Sequence, residues 1–160
     1  MNRRRVARLA LAALLPVACG RGEVDTAAEL AHAANAAAGD TVVVYKTPTC
    51  GCCTKWVDHM RENGFAVVTH DLDNLEPIKR QLGVPAGRIS CHTARVRGYT
   101  LEGHVPADLV QRMLAEEPRI KGLTVPGMPM GSPGMEGLYK DDFQVLSFDE
   151  AGRTEVYAER

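Results

Sequence analysis

Val42-Val43-Val44-Tyr45-Lys46-Thr47-Pro48-Thr49-Cys50-Gly51-Cys52-Cys53-Thr54-Lys55-Trp56 changes its hydrophobic period half-way along. Val42 to Tyr45 are four apolar or aromatic residues in a row and read as a short buried strand. Beyond the turn, Cys53, Trp56, Val57 and Met60 fall at helical spacing. Three cysteines therefore sit where a strand becomes a helix, at the positive end of that helix. Unpaired backbone N–H groups there stabilise a thiolate, lowering a cysteine pKa from about 8.5 to roughly 3.5–7.5. Inert core packing or a plain disulfide does not require three thiols in four residues.

Working outward toward the C-terminus, Asn63-Gly64 marks a turn and Ala66-Val67-Val68-Thr69-His70 a second strand. Leu75, Ile78 and Leu82 form the apolar face of a short helix closed by Gly83. Strand, helix, strand and helix at this spacing predict a βαβ unit with a parallel pair. Cys91-His92-Thr93-Ala94-Arg95-Val96 begins a third strand, and Tyr99-Thr100-Leu101-Glu102 pairs with it as a hairpin. Pro106 opens a helix that turns Leu109, Val110, Met113 and Leu114 inward. This order is the thioredoxin-like α/β arrangement, a mixed central sheet with flanking helices. There, the loop before the third strand faces the cysteine turn, so Cys91 is expected to meet Cys50, Cys52 and Cys53.

From Lys121 to Gly137 glycine and proline dominate, and Met128, Met130 and Met135 lie among them. Methionines on such a loop read either as anchors of an adaptable surface or as soft thioether ligands. Phe143 to Phe148 and Thr154 to Tyr157, joined through Asp149-Glu150-Ala151-Gly152-Arg153, predict a C-terminal β-hairpin extension of the sheet.

Toward the N-terminus, Met1-Asn2-Arg3-Arg4-Arg5 is a basic n-region and Val6 to Val17 a largely apolar run. Residues 1–20 read as a secretory signal, too short for a membrane span. Ala18-Cys19-Gly20 resembles a lipoprotein cleavage site that would place lipid on Cys19, although Pro16 stands where leucine is usual. Residues 21–40 form an alanine-rich spacer with little to bury, where His32 reads as solvated. Residues 41–160 are one domain, large enough to hold a core without staples. The expected location is the periplasm, with a membrane tether if Cys19 is lipidated. A formal net charge of −1 gives no sign of a nucleic-acid partner.

Of five cysteines, four fall in the domain, three together and one apart, which is the distribution of a site and not of a disulfide framework. Cys50 and Cys53 have the spacing of a thiol–disulfide oxidoreductase, but Cys52 invites scrambling. One structural zinc is a further reading, against which Cys52 and Cys53 diverge by about 100° on a helix. Thiolates shared among several soft ions suit that divergence better, and Cu(I) is such an ion. Four thiolates and four monovalent ions would be neutral and so burial-tolerant.

Four motifs together resemble the CopG-type copper-resistance family: Val44 to Cys53, Ser90-Cys91-His92-Thr93, Glu102-Gly103-His104-Val105-Pro106, and Val125 to Met135. The resemblance runs from about Val42 to Tyr157. It implies a thioredoxin-like fold, a Cu(I) cluster bridged by Cys50, Cys52, Cys53 and Cys91, and a redox role in copper detoxification beside other periplasmic copper-handling proteins. On matched motifs, His104 is either a ligand or a structural hydrogen-bonding group. His92, one residue beyond Cys91 in a strand, should point to the opposite face and support the site without binding metal. Met130 is the least secure of the loop methionines. His59 and His70 are expected to be solvated or structural.

Overall fold

The computed structural model describes residues 40–160. The segment read as a secretory signal, Cys19, His32 and the stretch read as a spacer, up to residue 39, lie outside the described residues. Asp40 already belongs to the fold: its carboxylate accepts from Arg97 at 2.6 Å and its carbonyl from the Ala66 N–H.

β1 (Thr41–Lys46), the second strand from one edge of the sheet, is buried on alternate residues, with Val42 and Val44 fully enclosed. α1 (Gly51–Glu62) follows, and its buried residues are Cys53, Trp56, Val57 and Met60, as the spacing predicts. β2 (Ala66–Asp71) pairs with β1 in parallel, completing a βαβ unit. α2 (Glu76–Gln81) comes next, then β3 (Thr93–Val96) and β4 (Tyr99–Glu102), an antiparallel hairpin whose first strand pairs with β1. α3 (Ala107–Glu116) buries Leu109, Val110, Met113 and Leu114. β5 (Gly122–Thr124), β6 (Gln144–Phe148) and β7 (Thr154–Glu159) finish a seven-stranded mixed sheet of order β2-β1-β3-β4-β5-β6-β7.

One apolar core joins α1 and α3 to the sheet through Val42, Val44, Ala94, Val96, Leu101, Leu123 and Val145. Burying each valine or leucine among them contributes roughly 1.5–3 kcal/mol. Side chains alternate across a strand, so Thr93 and Glu102, neighbours of Ala94 and Leu101, face away from that core. There they meet Lys79, the one buried side chain of α2.

Three expectations need correcting. β5 lies inside the segment read as a loop, and pairs in parallel with β4 and antiparallel with β6. β3 starts at Thr93, so Cys91 and His92 occupy the bend before it and strict strand alternation does not govern them. The inner side chain of α2 is Lys79, with Ile78 and Leu82 only partly buried. His59, expected to be solvated or structural, is structural: its Nε2 accepts the Ala107 N–H at 3.1 Å, satisfying a free donor at the start of α3. Burial lowers the His59 pKa, which keeps that nitrogen free to accept.

Candidate functional site

α1 starts abruptly after Pro48-Thr49, with Cys50 as its N-cap in an extended conformation and no side chain capping the first turn. Cys50 and Cys52 are partly exposed, whereas Cys53 is turned into the core. The bend before β3 brings Cys91 against them from the neighbouring strand. All four sulfur atoms lie within 4.8 Å of one another. Cys50 and Cys53 are joined by a disulfide, and Cys52 and Cys91 are free thiols. The Cys91 Sγ is 3.4 Å from that of Cys53 and 3.9 Å from that of Cys52, while the Cys50 and Cys52 sulfurs are 3.5 Å apart. Burial, and then the neighbouring Cys52, pushes the Cys91 thiol well above the usual thiol range. A thiol so placed stays protonated unless a cation takes the place of its proton.

Two imidazoles back this cluster. His104 is fully buried, and its Nδ1 lies 2.7 Å from the carbonyl oxygen of Pro133. A carbonyl only accepts, so Nδ1 carries the proton and the Nε2 lone pair is left facing the Cys91 Sγ at 3.0 Å. Burial lowers the pKa of His104, holding it neutral with that lone pair available. His92 is also fully buried, 4.4 Å from Trp56 and 5.1 Å from His104 between ring centroids. Its Nδ1 is 3.4 Å from the Cys91 Sγ, and its Nε2 has no hydrogen-bonding partner among the described residues. A buried N–H without an acceptor is rarer than a buried lone pair without a donor, so the proton belongs on Nδ1, directed at the sulfur. Burial drives the His92 pKa well below normal, with His104 and Lys79 adding to the effect. The two histidines thus differ in role: one offers a lone pair beside Cys91, the other an N–H.

The glycine- and proline-rich loop closes the site with backbone, at Pro133 and Gly134. Gly134 has φ +87°, and a Cβ there would lie 2.6 Å from the Cys52 carbonyl oxygen and 2.9 Å from the Trp56 nitrogen. Gly134→Ala should therefore unseat the loop from α1, with left-handed backbone alone costing about 1–2 kcal/mol. The expected readout is a lowered melting temperature together with faster alkylation of Cys91, once Pro133 no longer holds His104. Of the loop methionines, Met128 is half-exposed, and Met130 and Met135 are partly buried. The Met130 methyl abuts Gly137, so that side chain packs within its own loop.

Lys79 and Glu102 have a part here that the sequence did not reveal: Glu102 lies in a matched motif with no role assigned to it, and Lys79 lies in none. The Glu102 carboxylate is wholly buried and accepts from Lys79 Nζ at 2.5 Å, the Ser90 N–H at 2.6 Å and Thr93 Oγ1 at 2.6 Å. Burial raises the Glu102 pKa, and these partners oppose the shift. A glutamate ending a four-residue strand gives no sequence signal of burial; only a tertiary partner on α2 reveals it.

A family model described as "Protein of unknown function, DUF411" matches residues 88–135, which include Cys91, His92, His104 and the methionine loop. A solved structure described as "Copper resistance protein copG- Form 2" is 41% identical, with a TM-score of 0.72 over 76% of this chain and 98% of that chain. A second, "Copper resistance protein copG- Form 1", is 41% identical with a TM-score of 0.71, covering 75% and 96%. No curated protein matches.

Proposed function

The chain belongs to the CopG-type copper-resistance family, and on that footing we propose that it binds Cu(I) as a thiolate-bridged cluster in copper resistance. The observation that carries this reading is the convergence of four sulfurs, from two separate segments, within 4.8 Å of one another. Neighbouring thiolates at such separations can be shared between soft ions, as Cu(I) prefers. In this reading Cys50, Cys52, Cys53 and Cys91 are the bridging ligands. His104 adds an imidazole through Nε2, and His92 donates an N–H to the Cys91 sulfur, steadying its negative charge. Opening the Cys50–Cys53 disulfide, with two electrons and two protons, comes first; metal binding then releases the thiol protons. Met130, packed against Gly137, is the least suited of the three methionines to ligation; Met128 and Met135 remain proposed soft contacts.

We further read the βαβ unit and the β3–β4–α3 segment as thioredoxin-like. The basic n-region and apolar run before residue 20 support export to the periplasm, with Cys19 as the lipid site. Among the described residues no helix is long and apolar enough to cross a membrane. Other periplasmic copper-handling proteins are the partners this reading calls for. The test is an anaerobic Cu(I) titration of the reduced chain against a competing chelator. Several copper ions per chain are expected, and saturation at a single ion would sink the cluster.

A second reading is favoured by the disulfide itself: thiol–disulfide exchange through Cys50 and Cys53 at a helix start. It differs in needing no metal and in tolerating the loss of Cys91.

A further inference from the structure

Cys91 lies in a bend, outside β3, yet the sulfur meets three partners from two other segments. Something must hold that bend. Ser90, before Cys91, gives its N–H to Glu102; Thr93, after His92, gives its hydroxyl to the other oxygen of the same carboxylate. One buried side chain therefore grips both ends of Cys91-His92. Lys79 Nζ completes the network by donating to Glu102 and, at 3.0 Å, to Thr93 Oγ1.

Backbone contacts tighten the same segment. The Gly103 N–H donates to the His92 carbonyl at 3.0 Å, and the Ser90 hydroxyl donates to the Gly127 carbonyl. Gly103 has φ +73°, and a Cβ there would fall 2.4 Å from the Ser90 Oγ, so no other residue lets the bend sit this close. Glu102 and His104 flank that glycine, so the grip on Ser90 and the imidazole facing Cys91 come from one three-residue stretch.

A buried ion pair is a poor device for stability, because desolvation of two charges offsets their attraction and an apolar pair of similar volume often serves as well. Its use here is geometric. We infer that Glu102, held by Lys79, is a positioning residue for the Cys91 sulfur. It pins Ser90 and Thr93 so that the thiol meets Cys52, Cys53 and His104. The inference rests on the copper reading for its metal readout but has a second readout that needs no metal.

The discriminating variant is the double replacement Lys79→Met with Glu102→Leu, which removes both charges and keeps apolar volume. Three quantities are read on the reduced chain: melting temperature, Cys91 alkylation by iodoacetamide in the metal-free state resolved by peptide mass spectrometry, and Cu(I) affinity by chelator competition. The expected result is near-native melting, several-fold faster alkylation, and a loss of about 10- to 100-fold in Cu(I) affinity, the range for residues that orient metal ligands. Lys79→Met with Glu102→Gln, which restores an acceptor for the Ser90 N–H, should bring alkylation back toward the native rate. Thr93→Val, which removes one grip without a charge, should raise it by a smaller factor and decides the matter if the apolar pair fails to fold. Native alkylation in the folded apolar variant, or in Thr93→Val if that variant is the arbiter, overturns the inference. If the native chain takes up no Cu(I), the copper reading fails, and alkylation alone still decides the role of Glu102.

Discussion

Cys91→Ser is expected to abolish the proposed Cu(I) cluster as a group, leaving a single weakly held ion or none. The other three sulfurs lie on one helical turn, and Cys91 is the one that faces them, 3.4 Å from Cys53 and 3.9 Å from Cys52. A serine hydroxyl is hard, remains protonated at neutral pH and does not bridge soft ions. Removing the shared sulfur also strips His104 of its neighbour at 3.0 Å, so the imidazole loses the ion it would help to hold. The change is nearly isosteric at a partly buried position, and melting should shift by no more than about 1 kcal/mol equivalent. Chelator competition and circular dichroism on the same sample separate the two effects. Retention of most of the copper at native affinity would place the metal on Cys50, Cys52 and Cys53 without Cys91 and end the four-sulfur account.

The second large effect concerns oxidation. A chain with the Cys50–Cys53 disulfide closed should lose half or more of its Cu(I) capacity, and reduction should restore it in full. A disulfide sulfur carries no thiolate charge, so closure leaves only Cys52 and Cys91, 3.9 Å apart. Two thiolates balance at most two monovalent ions, and the buried excess charge of a larger cluster would be uncompensated. Copper counted on matched oxidised and reduced samples, with thiols titrated in parallel, gives the comparison. Equal copper in both forms would mean that Cys50 and Cys53 are not ligands and would favour disulfide exchange as their use.

The strands and helices that carry the cysteines were legible because each has a single exposed or buried period. Val42 to Tyr45, the Cys53-Trp56-Val57-Met60 stripe and the Tyr99–Glu102 strand all lie where the pattern puts them. The meeting of Cys91 with the other three followed from strand order. β5 was hidden because Gly122-Leu123-Thr124 is too short to alternate and sits among glycines and prolines. Lys79 was hidden for a different reason: Leu75, Ile78 and Leu82 supply a convincing apolar face, and a lysine is expected outside it unless paired. Its partner Glu102 lies 23 residues away, on a strand, where no local rule connects them. His59 shows the same limit, since the N–H it satisfies belongs to Ala107, 48 residues on. The tautomers of His92 and His104 likewise depend on a sulfur and a carbonyl brought in by tertiary structure.

The carbonyl of Pro133 that fixes His104 reaches it across 29 residues, and Cys91 reaches Cys52 across 39. Closing segments of that length is entropically opposed until strand pairing has been established, so these contacts form late. A chain emerging from its N-terminus presents Cys50, Cys52 and Cys53 first, with no fourth sulfur opposite them and no imidazole of settled tautomer. Early oxidation at that stage is free to choose among local pairings, whereas in the finished fold Cys50 pairs with Cys53 and Cys52 and Cys91 stay free. On the copper reading, assembly would precede loading: the donor set is complete only once these long-range contacts have formed, and a soft ion that binds the folded chain alone would stabilise it by mass action.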